Sequence, residues 1–300
     1  CLVGSEMCIR DRYHGLGVAQ GGMVDTPDGD WYAFMFQDRG ALGRAPVLMP
    51  MHFEDGFPII GENGKVPEVV TVLDTGYQYA AINGSDDFFY KPDENGQITL
   101  KNFWEFNHQQ MDDFWSVTEN PGHLRLHSAK LSPTLFQAYN TLTQRTVGPK
   151  CAAEVTLRFA HMKNGDVAGI STFIGNYGFT GVKKENDQFY LIMMGRPAKD
   201  TTVFGQFEYE NPGLEYARVP IYGESICLRA EADFTDKRDL SSFYYKEGDN
   251  WQKLGIDQPM YFKMDLFTGC RFGLFYYSTE QTGGYVDFSK FQFIWPEYVY

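Results

Sequence analysis

Histidine and cysteine are the residue types here that most often perform chemistry, and their spacing does not favour a reactive site. None of the six histidines lies in an HxH or HExxH pattern or in a credible His/Asp/Ser arrangement. His123 and His127 share one face of a predicted strand, which is typical of a packed or solvated surface. Cys151, Cys227 and Cys270 are widely spaced without a CxxC pair, so we expect buried free thiols.

Three carboxylates near the N-terminus could be nominated for acid–base chemistry: Asp25, Asp38 and Glu54. Asp25 and Glu54 sit beside predicted turns, and charged turn residues are usually solvated. We therefore assign no catalytic carboxylate to this chain.

Composition excludes several classes of protein. Hydrophobic residues make up 43% of the 300 and charged residues 22%, which allows a core and argues against disorder. Aromatic residues reach 16%, and they favour strands. The net charge of −13 argues against nucleic acid and anionic membranes as partners, and no apolar run approaches the roughly 20 residues of a membrane span. An acidic, β-rich protein with neutral substrates such as sugars fits these values.

Residues 13–75 predict a small antiparallel sheet. Apolar runs at 23–24, 31–36, 45–53 and 57–60 are separated by turn signals, including TPDGD at 26–30 and EDG at 54–56. Four short strands of this length match one blade of a β-propeller. Residues 76–100 are rich in Asn, Asp, Gly and Pro and are interpreted as a linker with the first strand of a second domain.

Residues 101–300 predict a β-sandwich of the jelly-roll kind. Alternating runs recur with Gly-rich turns between them, without helical periodicity of useful length. The predicted strands lie at 123–128, 152–159, 167–174, 189–194, 225–232, 243–246, 271–277 and 285–293.

The first twelve residues, CLVGSEMCIRDR, resemble a translated transposase-type sequencing adapter. We interpret residues 1–12 as an artefact that packs against nothing, and expect genuine sequence to begin near Tyr13 with the preceding part missing. Cytoplasmic, periplasmic and secreted locations therefore all stay open, as does the oligomeric state.

Motifs along almost the whole remaining chain resemble glycoside hydrolase family 43, the β-xylosidase and α-L-arabinofuranosidase family. The N-terminal motifs resemble its last propeller blade: AQGG at 19–22, DTPDG at 25–29, WY at 31–32, FQD at 36–38, LGR at 42–44 and FEDGFP at 53–58. The later motifs resemble its concanavalin A-like sandwich: SDDF at 85–88, FWEFNH at 103–108, WSVTE at 115–119, PGHLRL at 121–126, NTLTQR at 140–145, GDVAG at 165–169, YGF at 177–179, FTG at 267–269, RFGLF at 271–275 and VDF at 286–288.

The resemblance implies an inverting glycosidase acting on xylosidic or arabinofuranosidic bonds of oligosaccharides or polysaccharides. Such enzymes place an acid and a base on opposite sides of the scissile bond, and the family's carboxylates lie on blades upstream of this chain. Arg44, in the LGR motif, matches a family arginine at the sugar, although a surface arginine in a Gly-rich turn is an equal alternative. Gln20 lies where the family's inner strands approach the pocket, and a buried structural hydrogen bond is its alternative.

The resemblance also implies a structural calcium ion in the sandwich. Related sandwiches hold Ca²⁺ between the entering and the final strand with carboxylate and carbonyl oxygens, and the matching carboxylates here are Asp87 and Asp287. The alternative is that Asp86 and Asp87 form an Asx turn.

Three functions stay open from the sequence. The parent gene encodes a glycosidase, or the sandwich is a carbohydrate-binding module in which Tyr139, Tyr177 and Phe179 stack on sugars, or the sandwich is a structural brace that completes a pocket wall. Core packing is the alternative fate of these aromatic residues.

Overall fold

The structure is a computed structural model, and it describes residues 12–13, 16–72, 75–196, 210–260 and 268–295. The chain separates into two compact units, the first ending at Tyr79 and the second beginning at Ala80. The predicted boundary lies four residues earlier, at 75–76. In the described residues the regular structure is antiparallel β-sheet with short 3₁₀ turns, and no helix there has the length and apolarity to cross a membrane.

The first unit is a five-stranded antiparallel meander in the order β1-β2-β3-β4-β5. Its strands are β1 (Arg12–Tyr13), β2 (Leu16–Asp25), β3 (Trp31–Asp38), β4 (Arg44–Glu54) and β5 (Phe57–Ile60). The four strands predicted from the sequence are confirmed. The β4–β5 hairpin turns through Asp55 and Gly56, whose φ angles of 48° and 80° suit the two-residue turn that matches strand twist.

The predicted artefact at residues 1–12 lies outside the described residues except for Arg12. Arg12 is opposite Gly17 in the β1–β2 pair, so the expectation that this segment packs against nothing is wrong for Arg12. The physical reason is that pairing with β2 satisfies backbone hydrogen-bonding groups of Arg12.

The second unit is a sandwich of two antiparallel sheets. One sheet has the order β14-β13-β12-β11-β19-β9-β6, and the other has β17-β16-β15-β10-β20-β8-β7 with β18 beside β16. The early strands are β6 (Glu105–Asn107), β7 (Trp115–Ser116), β8 (Leu124–His127), β9 (Thr141–Arg145), β10 (Lys150–Arg158), β11 (Asp166–Phe173), β12 (Gly178–Glu185) and β13 (Gln188–Gly195). The later strands are β14 (Leu214–Ile221), β15 (Ser225–Asp233), β16 (Leu240–Glu247), β17 (Asn250–Lys253), β18 (Gln258–Pro259), β19 (Arg271–Ser278) and β20 (Tyr285–Ile294). All eight strands predicted for this region are observed.

The core of the sandwich lies between the two sheets, where β11 and β12 contact β15 and β16. Alternation along each strand sends apolar side chains inward, as in β8, where Leu124 and Leu126 are buried while Arg125 and His127 lie on the other face. Tyr177 and Phe179 are fully buried, so the idea that they stack on sugars is wrong and core packing is confirmed for both. Both belong to a buried apolar cluster that includes Phe136 of the 3₁₀ turn and Phe275 of β19.

The predicted linker at residues 76–100 contains no strand in its described part, which corrects the expected first sandwich strand there. Asp86 instead forms an isolated backbone bridge with Phe291 of β20. The carboxylates of Asp86 and Asp93 accept hydrogen bonds from nearby backbone N–H groups, as in Asx turns. These hydrogen bonds compete with strand pairing.

The free thiols agree largely with expectation. Cys151 and Cys270 are buried, Cys227 is half-buried, and no disulfide joins the described cysteines. Burial raises the pKa of the Cys151 thiol to about 12, which makes it an inert core residue at neutral pH.

We expect the first unit to open more readily than the sandwich. Its buried apolar cluster contains only Val18, Ala33, Met49 and Met51, while Phe34 and Phe57 are 54% and 61% exposed. Backbone amides of β3 should therefore exchange faster than those of β11 in native-state hydrogen exchange. The two strands can be compared directly, because each has a hydrogen-bonded neighbouring strand on both sides. Equal protection of the two strands would contradict this expectation.

Candidate functional site

Arg44 begins β4 directly opposite Asp38, the last residue of β3. Its Nε donates a hydrogen bond to Asp38 Oδ1 over 3.0 Å, and its guanidinium carbon lies 3.9 Å from the centre of the Phe36 ring. An ion pair along one edge and an aromatic ring against one face fix the plane of this guanidinium. A guanidinium can bind and orient a ligand, but it does not serve as the acid that protonates a leaving group.

Gln20 is the extra residue of a β-bulge in β2. Its neighbours Ala19 and Gly21 pair with Phe36 and Met35, and Gln20 itself, at φ 48°, has no opposite residue. A Cβ at position 21 would lie 2.0 Å from the Phe34 carbonyl oxygen, so the bulge requires Gly21. Gln20 is exposed, and its side chain makes no hydrogen bond to a residue that the structure describes. This disfavours a buried structural role and leaves the amide accessible.

The carboxylates nearest to these residues are held by basic side chains. Asp38 binds Arg44, and Glu54 Oε1 lies 2.9 Å from His52 Nε2. A glycosidase needs one carboxyl group protonated and a second one ionised across the sugar. In the described part of the first unit, Asp38 and Glu54 each face a cationic or imidazole partner rather than each other.

Asp87 and Asp86 face different surroundings. Asp87 is exposed, and its Oδ1 accepts a hydrogen bond from Phe89 N over 3.2 Å, as in an Asx turn. Asp86 is buried, and its carboxylate accepts hydrogen bonds from Phe88 N, the Tyr90 hydroxyl and Trp104 Nε1. The buried carboxylate of the SDDF motif is therefore Asp86.

Asp287 of β20 is bound by two side chains from the β7–β8 region. Arg125 donates from Nε to Oδ1 over 2.7 Å and from Nη2 to Oδ2 over 2.9 Å, and Asn120 Nδ2 donates to Oδ2 over 2.9 Å. The Tyr285 ring centre lies 4.1 Å from the guanidinium carbon. Burial raises the pKa of Asp287, but the hydrogen bonds from Arg125 and Asn120 outweigh it and hold that pKa below its ordinary value.

Asp87 and Asp287 do not fit a shared calcium ion. Calcium needs six to eight oxygen ligands, and both oxygens of Asp287 already face donors, one of them a guanidinium that would repel a cation. Asp87 is turned into its own exposed loop. In the described residues no group of three or more His, Cys, Asp or Glu side chains could hold a metal ion. The arrangement is that of a structural ion pair.

Two cavities of the sandwich unit share the Phe136 ring as a wall. The smaller, about 270 Å³, is lined by Phe106, Phe173 and Thr268 among others, and by the Arg271 guanidinium, whose Nη1 lies 2.6 Å from Glu105 Oε2. The larger, about 480 Å³, contains His108, Lys130 and Tyr139. Of the three aromatic residues that the sequence suggested for sugar stacking, Tyr139 lines the larger of these two cavities, whereas Tyr177 and Phe179 line neither.

Sequence reasoning did not select Arg271, Glu105, His108 or Lys130 as site residues. Arg271 and Glu105 both lie in motifs that carry the family resemblance, which was the available signal. Their contact joins residues 166 positions apart, and only the fold reveals such a contact.

Comparison with known proteins places the second unit in a defined family. The family model described as the β-xylosidase C-terminal concanavalin A-like domain matches residues 93–294. This range contains every strand of the sandwich.

Individual relatives support the match over both units. A β-xylosidase of Formosa agariphila is 27% identical over 94% of this chain and 48% of its own length. A solved structure of a bifunctional GH43-CE protein from Bacteroides eggerthii is 38% identical with a TM-score of 0.79, over 94% of this chain and 34% of that one. A GH43 glycoside hydrolase engineered to display endo-xylanase and exo-arabinofuranosidase activity is 29% identical with a TM-score of 0.79, over 92% of this chain and 54% of that one.

The chain thus spans about half or less of the length of these relatives: 48%, 34% and 54%. The resemblance to glycoside hydrolase family 43 stated from the motifs is confirmed, as are the all-β fold and the concanavalin A-like sandwich.

We expect Arg125→Met to lower the free energy of unfolding by about 3 kcal/mol at pH 7, because it leaves the buried Asp287 carboxylate without its cation. The matched control is Arg238→Met. Arg238 is exposed, and its partner Asp233 lies 3.7 Å away and also pairs with Lys150, so the loss expected for this surface contact is about 0–1 kcal/mol. Urea denaturation measures both. A similar small loss in both variants would contradict a structural role for the Arg125–Asp287 pair.

The same pair predicts an acid-dependent stability. The folded-state pKa of Asp287 is lowered, so its stabilisation is complete above the unfolded value of about 3.9 and is lost as the pH falls through the folded value. The difference in free energy of unfolding between wild type and Asp287→Asn should therefore narrow below about pH 4. A difference that stays constant down to pH 2 would exclude this linkage.

The calcium prediction is tested by melting curves in EDTA and in millimolar CaCl₂. Because the Asp287 oxygens face Arg125 and Asn120, we expect the two melting temperatures to agree. A melting temperature that is higher in CaCl₂ than in EDTA, with a difference that Asp287→Asn abolishes, would support the calcium site. A site of micromolar affinity in millimolar calcium would add about 4 kcal/mol to the free energy of unfolding.

Proposed function

This chain belongs to the family of β-xylosidase C-terminal concanavalin A-like domains, and from this premise we propose that it forms the C-terminal part of a GH43 glycosidase. The proposed reaction is inverting hydrolysis of xylosidic or arabinofuranosidic bonds in oligosaccharides or polysaccharides. The observation that carries the proposal is the family match over residues 93–294, together with 38% identity to a GH43 structure across both units. The acid and the base of that reaction belong, in this proposal, to a part of the protein upstream of the first unit.

Arg44 is the residue of this chain that we propose to contact the sugar. Its guanidinium is held by Asp38 and by the Phe36 ring, so little conformational freedom is lost when it binds a ligand. A planar fork of N–H donors suits neighbouring sugar hydroxyls or a carboxylate. Gln20 is exposed on its bulge, next to Ala19, the residue that pairs with Phe36. Its side-chain amide supplies a hydrogen-bond donor and an acceptor in the same region of the sheet.

For the sandwich we propose the role of a structural brace. Its interior is packed with aromatic side chains, and the Asp86 and Asp287 carboxylates are fully engaged in contacts within it. A catalytic carboxylate has to reach a scissile bond from a pocket, which neither of these can do.

The 300-residue chain alone should not hydrolyse nitrophenyl xyloside or nitrophenyl arabinofuranoside, whereas the complete gene product should hydrolyse at least one of them. The reason is that the two carboxylates must be fixed on opposite sides of the sugar. Release of nitrophenol measures both. Turnover by the chain alone would place the catalytic carboxylates within it and overturn the proposal.

In the complete enzyme, we expect Arg44→Ala to reduce kcat/KM by about tenfold to a hundredfold through lost positioning of the sugar. Arg39→Ala is the matched control, because Arg39 lies in the same turn and its side chain has no partner in the described residues. Equal kcat/KM values for the two variants would remove Arg44 from the substrate site.

A further inference from the structure

The larger cavity of the sandwich is bordered by three stretches of chain. Residues 108–111 follow β6, Lys130 follows β8, and the 3₁₀ turn Leu135–Gln137 continues to Tyr139. Its volume of about 480 Å³ lies within the range of sites that hold small molecules.

The wall of this cavity is fixed before any ligand arrives. Asn140 is buried, and its side chain binds Met111 twice: Oδ1 accepts from Met111 N over 2.9 Å, and Nδ2 donates to Met111 O over 3.0 Å. His108 Nε2 donates to the Phe136 carbonyl oxygen over 2.6 Å. A carbonyl oxygen only accepts, so Nε2 carries the hydrogen and Nδ1 is an acceptor in the neutral ring. Such preorganisation reduces the entropy lost on binding.

The charge of the cavity differs from that of the chain. Lys130 Nζ lies 4.2 Å from the centre of the Tyr139 ring, and no carboxylate of the described residues lies within ion-pair distance of it. Asp112, the acid next to this wall, instead accepts hydrogen bonds from Gln110 Nε2 and Trp115 Nε1. Lys130 is exposed and lines the cavity. In a chain of net charge −13, a lysine without an acidic partner at the edge of a preformed cavity is a place for an anion.

The remaining lining residues supply groups for a polyhydroxylated ring. The Gln109 and Gln110 side chains carry amides and His108 carries an imidazole, while Met111, Phe136 and Tyr139 offer apolar surface. Binding sites of this mixed composition orient a ligand by a few polar groups against an apolar wall.

We propose that this cavity binds a uronate, that is, a sugar residue carrying a carboxylate, with Lys130 as the partner of the carboxylate and Tyr139 beside the sugar ring. The anionic character follows from Lys130 and its surroundings. The choice of a sugar rests on the proposed function, in which the substrate is an oligosaccharide or a polysaccharide.

The test measures binding of three probes to the 300-residue chain by isothermal titration calorimetry. Methyl glucuronide is the uronate, methyl glucoside has the same ring without the charge, and cyclohexanecarboxylate has the charge without the hydroxyls. We expect the glucuronide to bind at least tenfold more tightly than either control. Lys130→Met should abolish this preference and Lys130→Arg should retain much of it. Lys91→Met, on an exposed lysine outside the cavity, should leave it unchanged.

Each outcome decides between alternatives. The uronate site would be overturned if glucuronide and glucoside bound equally, or if glucuronide did not bind at millimolar concentration. It would also be overturned if both Lys130 variants kept the preference for glucuronide. Equal binding of cyclohexanecarboxylate would overturn the assignment to a sugar. Melting temperatures of the Lys130 variants equal to that of the wild type separate lost binding from lost folding. Because the readout is binding, failure here is distinguishable from failure of the hydrolysis proposal.

Discussion

The contact between Arg125 and Asp287 joins two strands whose residues are 162 positions apart, and the architecture of the sandwich depends on that junction. Asp287 lies directly opposite Arg125 in the β20–β8 pair, and β20 also pairs with β10 on its other side. A register slip of one residue would turn every side chain of β20 to the opposite face. The bidentate ion pair has a defined geometry, so it specifies the register of two strands that are distant in the sequence.

The same strand ties the entering segment to the sandwich. Asp86 exchanges two backbone hydrogen bonds with Phe291, and its buried carboxylate gathers Tyr90 and Trp104 around the bridge. The acceptor capacity of this carboxylate satisfies polar groups that burial would otherwise leave unpaired. A segment rich in loop-forming residues thereby becomes part of the packed unit without forming a strand.

The sequence predicted elements whose pattern is local and missed those that depend on distant partners. Apolar runs located β10, β11, β19 and β20, because half or more of the residues of each strand are buried. β12 contains Gly178 and Gly181 in its first half and only charged residues at 183–185, and β14 contains Pro220 at the sheet edge. Neither strand therefore shows the alternation of a half-buried strand. In the SDDF motif, spacing could not distinguish the buried Asp86 from the exposed Asp87, because bridge geometry decides which side chain turns inward.

Site residues follow the same physical division. Arg44 could be selected from its motif, but its contacts with Asp38 and Phe36 follow from strand register. Asp287 could also be selected from its motif, but its ion pair with Arg125 depends on the pairing of β20 with β8.

The location of acid–base chemistry is constrained by a further carboxylate of the sandwich, Asp166. Burial raises the pKa of Asp166, although Ser278, Tyr276 and Lys163 N donate hydrogen bonds to it. A raised pKa is one requirement of a glycosidase acid, and access to the glycosidic oxygen is the other. Asp166 is fully buried, and a Cβ at Gly284 would lie 2.5 Å from its Oδ2, so the surrounding backbone closes over it. Asp166, despite its raised pKa, is therefore a buried hydrogen-bond acceptor in the core and does not reach a substrate as a proton donor.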